Sequence, residues 1–397
     1  MTTQDRPGET RPIAFLSVAF RPFFLLGSLW SALALGIWVT SLGAGFPIPA
    51  HLPAMEWHIH EMLFGFGGAA IAGFLLTAVA NWTGRPPVHG APLAALVLLW
   101  CLGRAANIAP MLPPWLVAIV DCLFPLCVAI VVARELIAAG NRRNLVMVAL
   151  LLLFGCADLL MYLEMGGTNL APGVGWRLAL AIVVGLIALI GARIIPAFTR
   201  NWLGRHDLRS PPDEPLALAR AAPVILLAGL GVWAIAPDAR GGAWALIVGA
   251  ALTTARLLYW QGWRTRADAL VLVLHLGYFW MAAGSLLLAL ATLVPEHVPQ
   301  TLAIHALTAG AIGTMVLAVM SRVSRGHTGR ALVADRLTVA IYAAINLSAL
   351  VRVAAPFAPG DPMPFIQASA ILWITAYLLF ATWSLPIVLR PRPDGKP

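Results

Sequence analysis

The sequence predicts an all-α membrane protein with about twelve transmembrane helices. Of its 397 residues, 60% are hydrophobic and 11% are charged, whereas a soluble domain carries about 25% charged residues. Apolar runs of about 20 residues, enough to cross a hydrocarbon core of about 30 Å, recur along the whole chain. We therefore expect residues 1–397 to form a single membrane domain. The predicted segments lie near 22–42, 57–82, 91–109, 114–136, 145–164, 174–195, 219–236, 242–260, 269–294, 300–321, 335–355 and 365–389.

The net charge of +9 does not indicate binding to nucleic acid, because the basic residues follow the topology of the predicted helices. Of the 26 Lys and Arg residues, all but four lie on alternate connections, which leaves 22 on one side. The four exceptions are Arg104, Arg177, Arg240 and Arg352. Basic residues concentrate on the cytoplasmic side of a membrane, so we predict that both termini are cytoplasmic. Lipid is the expected surrounding, and the sequence carries no indication of an oligomeric state.

The chain also contains three related segments of four helices each. Asn81–Arg85 ends the second helix, Asn201–Arg205 ends the sixth helix 120 residues later, and Gly326–Arg330 ends the tenth after another 125. Because four is an even number, the three copies have the same orientation across the membrane. We predict three parallel repeat units, approximately 20–137, 143–260 and 267–390, around a pseudo-threefold axis along the membrane normal.

His60 and His305 occupy matching positions in the two outer units, since each precedes the last arginine of its motif by 25 residues. The middle unit has no histidine at this position. Two imidazoles at equal depth on two helices suit the axial ligands of a haem, and we predict that His60 and His305 bind a b-type haem. Nearby glycines would give room for the porphyrin or, alternatively, for close helix packing. They are Gly65, Gly68, Gly310 and Gly313.

Arg104 and Arg352 are also equivalent under the repeat, and each lies inside the end of an apolar segment. A guanidinium group binds carboxylates bidentately, so the haem propionates are their expected partners. The alternative is pairing with carboxylates of the bundle itself. The candidates for such pairing are Glu61, Asp121, Asp158 and Glu164.

The start of the second helix offers ligands for a second metal. At 100° per residue, His58 and Glu61 share one helix face, whereas His60 points roughly the opposite way. Neutral imidazole suits iron, copper and zinc, so we expect His58 with Glu61 to form or adjoin the second metal site. The alternative is ordinary hydrogen bonding at a wet helix end. His275, closer to mid-depth in the ninth helix, is a further candidate ligand or else a hydrogen-bonded core residue.

Several long stretches of the chain resemble the NnrS family. They are Phe20–Phe24, Trp57–Phe66, Gly73–Arg85, Arg193–Asn201 and His305–Arg330. The resemblance extends over essentially the whole chain. It implies a bacterial inner-membrane protein that carries haem and copper and acts in denitrification and protection from nitric oxide.

Three classes of function compete at this stage. The first is metabolism or detoxification of nitric oxide at a buried haem–copper site, with nitric-oxide reduction as one form of it. The second is a haem-based sensor or binding protein for nitric oxide. The third is a transporter of a metal or small metabolite that uses the histidines as its binding site. We expect the first, because haem binds nitric oxide and an apolar site suits an uncharged gas.

Overall fold

A computed structural model of the protein describes residues 14–392. Over this range it contains twelve helices that are long and apolar enough to span a membrane. The prediction of an all-α, multi-pass membrane protein with about twelve such helices is confirmed. The helices are α1 (Phe20–Ala44), α2 (Ala54–Thr83), α3 (Gly90–Asn107), α4 (Pro114–Ala138), α5 (Arg142–Met165), α6 (Val174–Arg205), α7 (Leu216–Ile235), α8 (Arg240–Trp260), α9 (Ala269–Leu293), α10 (Gln300–Gly326), α11 (Arg336–Phe357) and α12 (Met363–Leu389).

Helix α6 differs most from its predicted span. The apolar pattern predicts an end at residue 195, immediately before Pro196, but the helix continues to Arg205. Proline removes one backbone donor, yet membrane helices tolerate it where neighbouring groups satisfy the freed carbonyl. The extra turns therefore carry a basic segment beyond the apolar part of the helix.

The interior of the bundle is built from a subset of the helices. Helices α2 and α10 are the most enclosed, because 78% and 72% of their most apolar stretches are buried. Helices α1, α6 and α9 follow. Helices α2, α6 and α10 contact one another pairwise at the centre, and α1 packs against α12, so the first and last helices meet. The outer helices present exposed Leu, Ile and Val side chains, as a surface facing lipid requires.

Both α2 and α10 change from α-helix to π-helix directly after a histidine. The wider turns occupy Glu61–Gly67, after His60, and Ala306–Ile312, after His305. Helix α6 is α-helical from Val174 to Arg205. Because π-helical turns are rare and concentrate at functional sites, they direct attention to the beginnings of α2 and α10.

The ends of these helices show a second shared feature. Gly84 and Gly329 both have a φ of +68°, a left-handed conformation that glycine adopts without steric cost. The corresponding Gly204 lies inside α6 in helical conformation. Gly84 and Gly329 therefore lie just after the ends of α2 and α10, whereas α6 continues through Gly204.

Candidate functional site

A cavity of about 370 Å³ lies between α1, α2, α6, α10, α11 and α12, close to the N-terminal ends of α2 and α10. His58, His305 and Arg352 contribute its imidazole and guanidinium groups, and we call it the histidine cavity. Its volume lies within the range of about 300–1,000 Å³ typical of small-molecule sites. Large aromatic side chains form much of the remaining wall. They are Trp38, Phe66, Trp176 and Trp373.

His305 has a ring orientation suited to binding a metal. Its Nδ1 lies 2.7 Å from the backbone oxygen of Thr301, one turn earlier in α10. A carbonyl oxygen only accepts hydrogen bonds, so Nδ1 carries the proton and Nε2 keeps its lone pair. A histidine ligand is usually held in this way by a backbone carbonyl or a carboxylate.

His58 also has a nitrogen available to a ligand. Its ring stacks on the Trp38 indole, with ring centroids 4.0 Å apart and an interplanar angle of 17°. Its Nδ1 is buried and has no hydrogen-bond partner among residues 14–392. A buried polar atom left unpaired costs about 1–3 kcal/mol. Met62, four residues after His58, lines the same cavity and adds a thioether sulfur.

Arg352 lines the histidine cavity without a carboxylate partner. Within the described part of the chain no ion pair or hydrogen bond joins its guanidinium to another group. A charged side chain inside a membrane-spanning helix is normally paired or functional. The guanidinium of Arg352 is therefore free to bind an anionic group of a ligand.

Arg104 has the opposite environment, although it occupies the matching position in the first segment. Its Nη1 donates to Glu61 Oε2 at 2.6 Å, and its Nη2 donates to Asp121 Oδ1. Both carboxylates are fully enclosed. Arg104 is therefore paired within the bundle, which was the alternative to propionate binding, and it does not line the histidine cavity.

A second polar site surrounds His60 on the other side of α2. Its Nδ1 lies 3.2 Å from Glu61 Oε1, and its Nε2 lies 2.9 Å from Asp158 Oδ1 and 3.0 Å from Asp121 Oδ2. His60 and the three carboxylates are all buried. We call His60, Glu61, Arg104, Asp121 and Asp158 the charged cluster.

Neighbouring polar groups hold the carboxylates of the charged cluster in place. The Trp30 indole donates to Glu61 Oε2 at 2.7 Å. Asn107 Nδ2 and the Tyr162 hydroxyl donate to Asp121 Oδ2 at 2.8 Å and 2.9 Å. Because so many donors converge on two side chains, the cluster is an ordered network and not a set of loose ion pairs.

Two glycines make room for this network. A Cβ atom on Gly65 would lie 2.6 Å from Glu61 Oε2 and 2.8 Å from Arg104 Nη1, and a Cβ on Gly103 would lie 2.7 Å from Asp121 Oδ1. None of the four glycines considered as porphyrin neighbours lines the histidine cavity. Those of α10, Gly310 and Gly313, pack against tryptophan rings instead.

The structure thus separates the two histidines that the repeat pairs in sequence. His305 lines the histidine cavity, whereas His60 belongs to the charged cluster and has carboxylate oxygens near both ring nitrogens. The residue of α2 that shares a cavity with His305 is His58. Glu61 accompanies His60 and not His58, because its carboxylate is held by His60, Trp30 and Arg104.

His275 lies away from both sites. Its Nε2 is 2.9 Å from the hydroxyl oxygen of Thr199 on α6. Its ring packs so closely on Gly262 that a Cβ there would lie 2.3 Å from the ring. None of the other predicted metal ligands contacts it within the described residues. Its environment is that of a hydrogen-bonded core histidine.

Asp121 and Asp158 have a larger part in the site than the sequence predicts. The sequence predicts them only as alternative partners for arginine, whereas the structure places both against His60. Their position in the sequence already indicates a functional role, because each is an ionisable residue in the interior of an apolar helix. What the sequence does not supply is that α4 and α5 bring them to the same face of α2.

In a comparison with known families, a family model described as NnrS protein matches residues 14–392. No curated protein matches the chain.

Proposed function

Since this chain belongs to the NnrS family, we propose that it is a haem- and copper-containing protein of the bacterial inner membrane that binds nitric oxide and limits nitrosative damage. The observation that carries this proposal is the histidine cavity. Two imidazoles there have nitrogen atoms available to a metal, and a guanidinium lacks a carboxylate. In an apolar bundle each of these groups is costly unless a ligand satisfies it.

In this proposal His305 is the protein ligand of the haem iron and Arg352 binds a haem propionate. Ferrous haem, when bound, would supply the iron that binds nitric oxide. The protein's own contribution is to orient the His305 ring through the Thr301 carbonyl. The aromatic wall excludes water from the site, and an uncharged gas reaches such a cavity through the lipid.

We assign copper to the other side of the same cavity, at His58 and Met62. Imidazole nitrogen together with a soft thioether sulfur is a donor set that suits copper, Cu(I) in particular. With His58 on copper, His305 would be the one histidine of the cavity that holds the haem iron, and the iron could still bind nitric oxide. Two imidazoles on the same iron, as in the pairing of His60 with His305, would compete with nitric oxide.

The proposal includes an orientation in the membrane. The division of basic residues into 22 on one side and four on the other supports cytoplasmic termini. The starts of α2 and α10, and with them the histidine cavity, then lie near the periplasmic side. Reporter fusions after residue 170 and after residue 210 should report periplasmic and cytoplasmic locations respectively, and the reverse result would contradict the orientation.

We also propose that the fold is built from three parallel four-helix units. The pairwise contacts of α2, α6 and α10 support it, because these are the second helices of the three units. The π-helical turns after His60 and His305 and the left-handed Gly84 and Gly329 relate the outer units. Superposition of α1–α4 on α9–α12 should bring His60 onto His305, and a shifted register would contradict the repeat.

The experiment that tests the function is anaerobic addition of nitric oxide to the purified, reduced protein. A change in the haem spectrum together with nitrous oxide, lost in His58→Ala, would support catalysis by the haem–copper site. A change without nitrous oxide would support binding or sensing. If the protein contains haem but shows no spectral response, the proposal fails and transport becomes the better interpretation.

A further inference from the structure

The charged cluster has the composition and spacing of a metal site separate from the histidine cavity. One ligand atom each from His60, Asp121 and Asp158 lies within 4.8 Å of the other two, and all three residues are buried. Adjacent ligands bound to one ion at about 2.0–2.2 Å lie about 2.8–3.1 Å apart in octahedral geometry and about 3.3–3.6 Å apart in tetrahedral geometry. The observed separations of His60 Nε2 from the two aspartate oxygens are 2.9 Å and 3.0 Å.

The hydrogen bond on the other side of the His60 ring points to the same conclusion. Nδ1 lies 3.2 Å from Glu61 Oε1, and a carboxylate accepts the proton of that nitrogen. If the ring is neutral, Nε2 directs a lone pair at two carboxylate oxygens. Either a cation between these three atoms or a second proton on the ring removes the repulsion. The arrangement of carboxylate, histidine and metal is the usual second sphere of a histidine ligand.

The balance of charge favours an ion with two positive charges. The cluster contains three carboxylates and a single guanidinium, and it lies in an apolar bundle where uncompensated charge is costly. A divalent cation together with neutral His60 neutralises the cluster completely. Without a metal, the same balance requires two protons held among His60 and the carboxylates.

We propose that His60, Asp121 and Asp158 bind a divalent first-row transition-metal cation. One imidazole and two carboxylates form a donor set for Zn²⁺, Mn²⁺ or Fe²⁺, because it contains no thiolate or thioether. The supporting groups are in place, since Arg104, Asn107 and Tyr162 fix the orientation of Asp121. This site shares no residue with the histidine cavity and does not depend on the haem and nitric-oxide assignment.

The test uses the full-length protein in detergent, stripped of loosely bound metal with a chelator and titrated with Co²⁺. Cobalt is a spectroscopic substitute for zinc, and its visible bands report nitrogen and oxygen coordination. We expect the chain to bind one Co²⁺ at this site and Asp158→Asn to weaken binding by at least about 10-fold. The matched control is Glu135→Gln, which removes a buried carboxylate near the C-terminal end of α4. That carboxylate pairs with Arg85 and Arg134. That control should bind Co²⁺ like the wild type.

Two further variants keep the test decisive. If Asp158→Asn does not yield folded protein, Asp158→Glu retains a carboxylate and should keep Co²⁺ with shifted visible bands. His305→Ala should keep the Co²⁺ site, so a failure of the haem assignment remains distinguishable from a failure of this one. Absence of Co²⁺ binding to folded protein, or equal affinity in wild type and Asp158→Asn, would show that protons alone balance the cluster and would overturn the proposal.

Discussion

His58 and His60 lie two residues apart on α2, yet they belong to sites of opposite character. The histidine cavity around His58 is largely apolar, and within residues 14–392 both His58 Nδ1 and the Arg352 guanidinium lack partners there. The charged cluster around His60 is buried and polar, and its groups are bonded to one another. The comparison shows that the partners brought by neighbouring helices, and not residue type or depth, decide what a histidine in a membrane can do.

Arg104 and Arg352 differ in environment in the same way as the two histidines. Arg104 is held by two buried carboxylates, whereas Arg352 has none among residues 14–392. Arg104 therefore has a structural role, and we propose a ligand-binding role for Arg352.

We expect the largest effect from removing the copper ligands proposed for the histidine cavity. His58→Ala and Met62→Leu should each lose the bound copper while the haem absorption remains, because His305 holds the iron. Metal analysis beside the optical spectrum measures both quantities on one sample. His275→Ala, a buried histidine on another helix, is the control. Simultaneous loss of haem and copper in His58→Ala would instead indicate that both histidines bind the iron.

The two arginines should differ strongly in their effect on stability. Arg104→Leu leaves two buried carboxylates without their partner, a change that costs about 3–5 kcal/mol. Arg352→Leu removes an unpaired guanidinium and should leave the free energy of unfolding of haem-free protein unchanged within about 1 kcal/mol. Unfolding in mixed detergent micelles measures both values. Equal losses would mean that Arg352 has a partner in the folded protein.

Glycine substitutions in the π-helical turn of α2 and just beyond it should have smaller effects. Gly65→Ala places a methyl group 2.6 Å from Glu61 Oε2, and overpacking of this kind costs about 1–3 kcal/mol. Gly68→Ala meets its nearest atom, on Phe124, at 3.7 Å and should be close to neutral. The same unfolding assay compares the two. A destabilising Gly68→Ala with a neutral Gly65→Ala would contradict the described packing.

The smallest effect is expected from Tyr162→Phe, which removes one hydrogen bond to Asp121. Such a bond contributes about 0.5–1.5 kcal/mol, so the affinity of the charged cluster for Co²⁺ should fall by a factor of about 2–12. The haem spectrum should not change. Tyr259→Phe serves as the control on α8. An altered haem spectrum in Tyr162→Phe would show that the two sites are coupled.

The fold could be predicted largely from the sequence, because apolar length alone decides whether a helix crosses a membrane. The site could be predicted only in part. The sequence correctly places His58 and His60 on opposite faces of α2, but it does not show which face meets α10. Repeat symmetry favours His60 as the partner of His305, whereas in the structure the histidine of α2 that shares a cavity with His305 is His58. The deciding contacts come from α4 and α5, which supply Asp121 and Asp158.

The measurement that tests the central claim most directly is the optical spectrum of reduced protein before and after nitric oxide, in wild type, His305→Ala and His60→Gln. We predict that the haem bands of the wild type and of His60→Gln shift alike on addition of nitric oxide. His305→Ala should lack both the bands and the response. If His60→Gln loses the haem while His305→Ala keeps it, the haem belongs to the charged cluster and the assignment of the two faces of α2 is wrong.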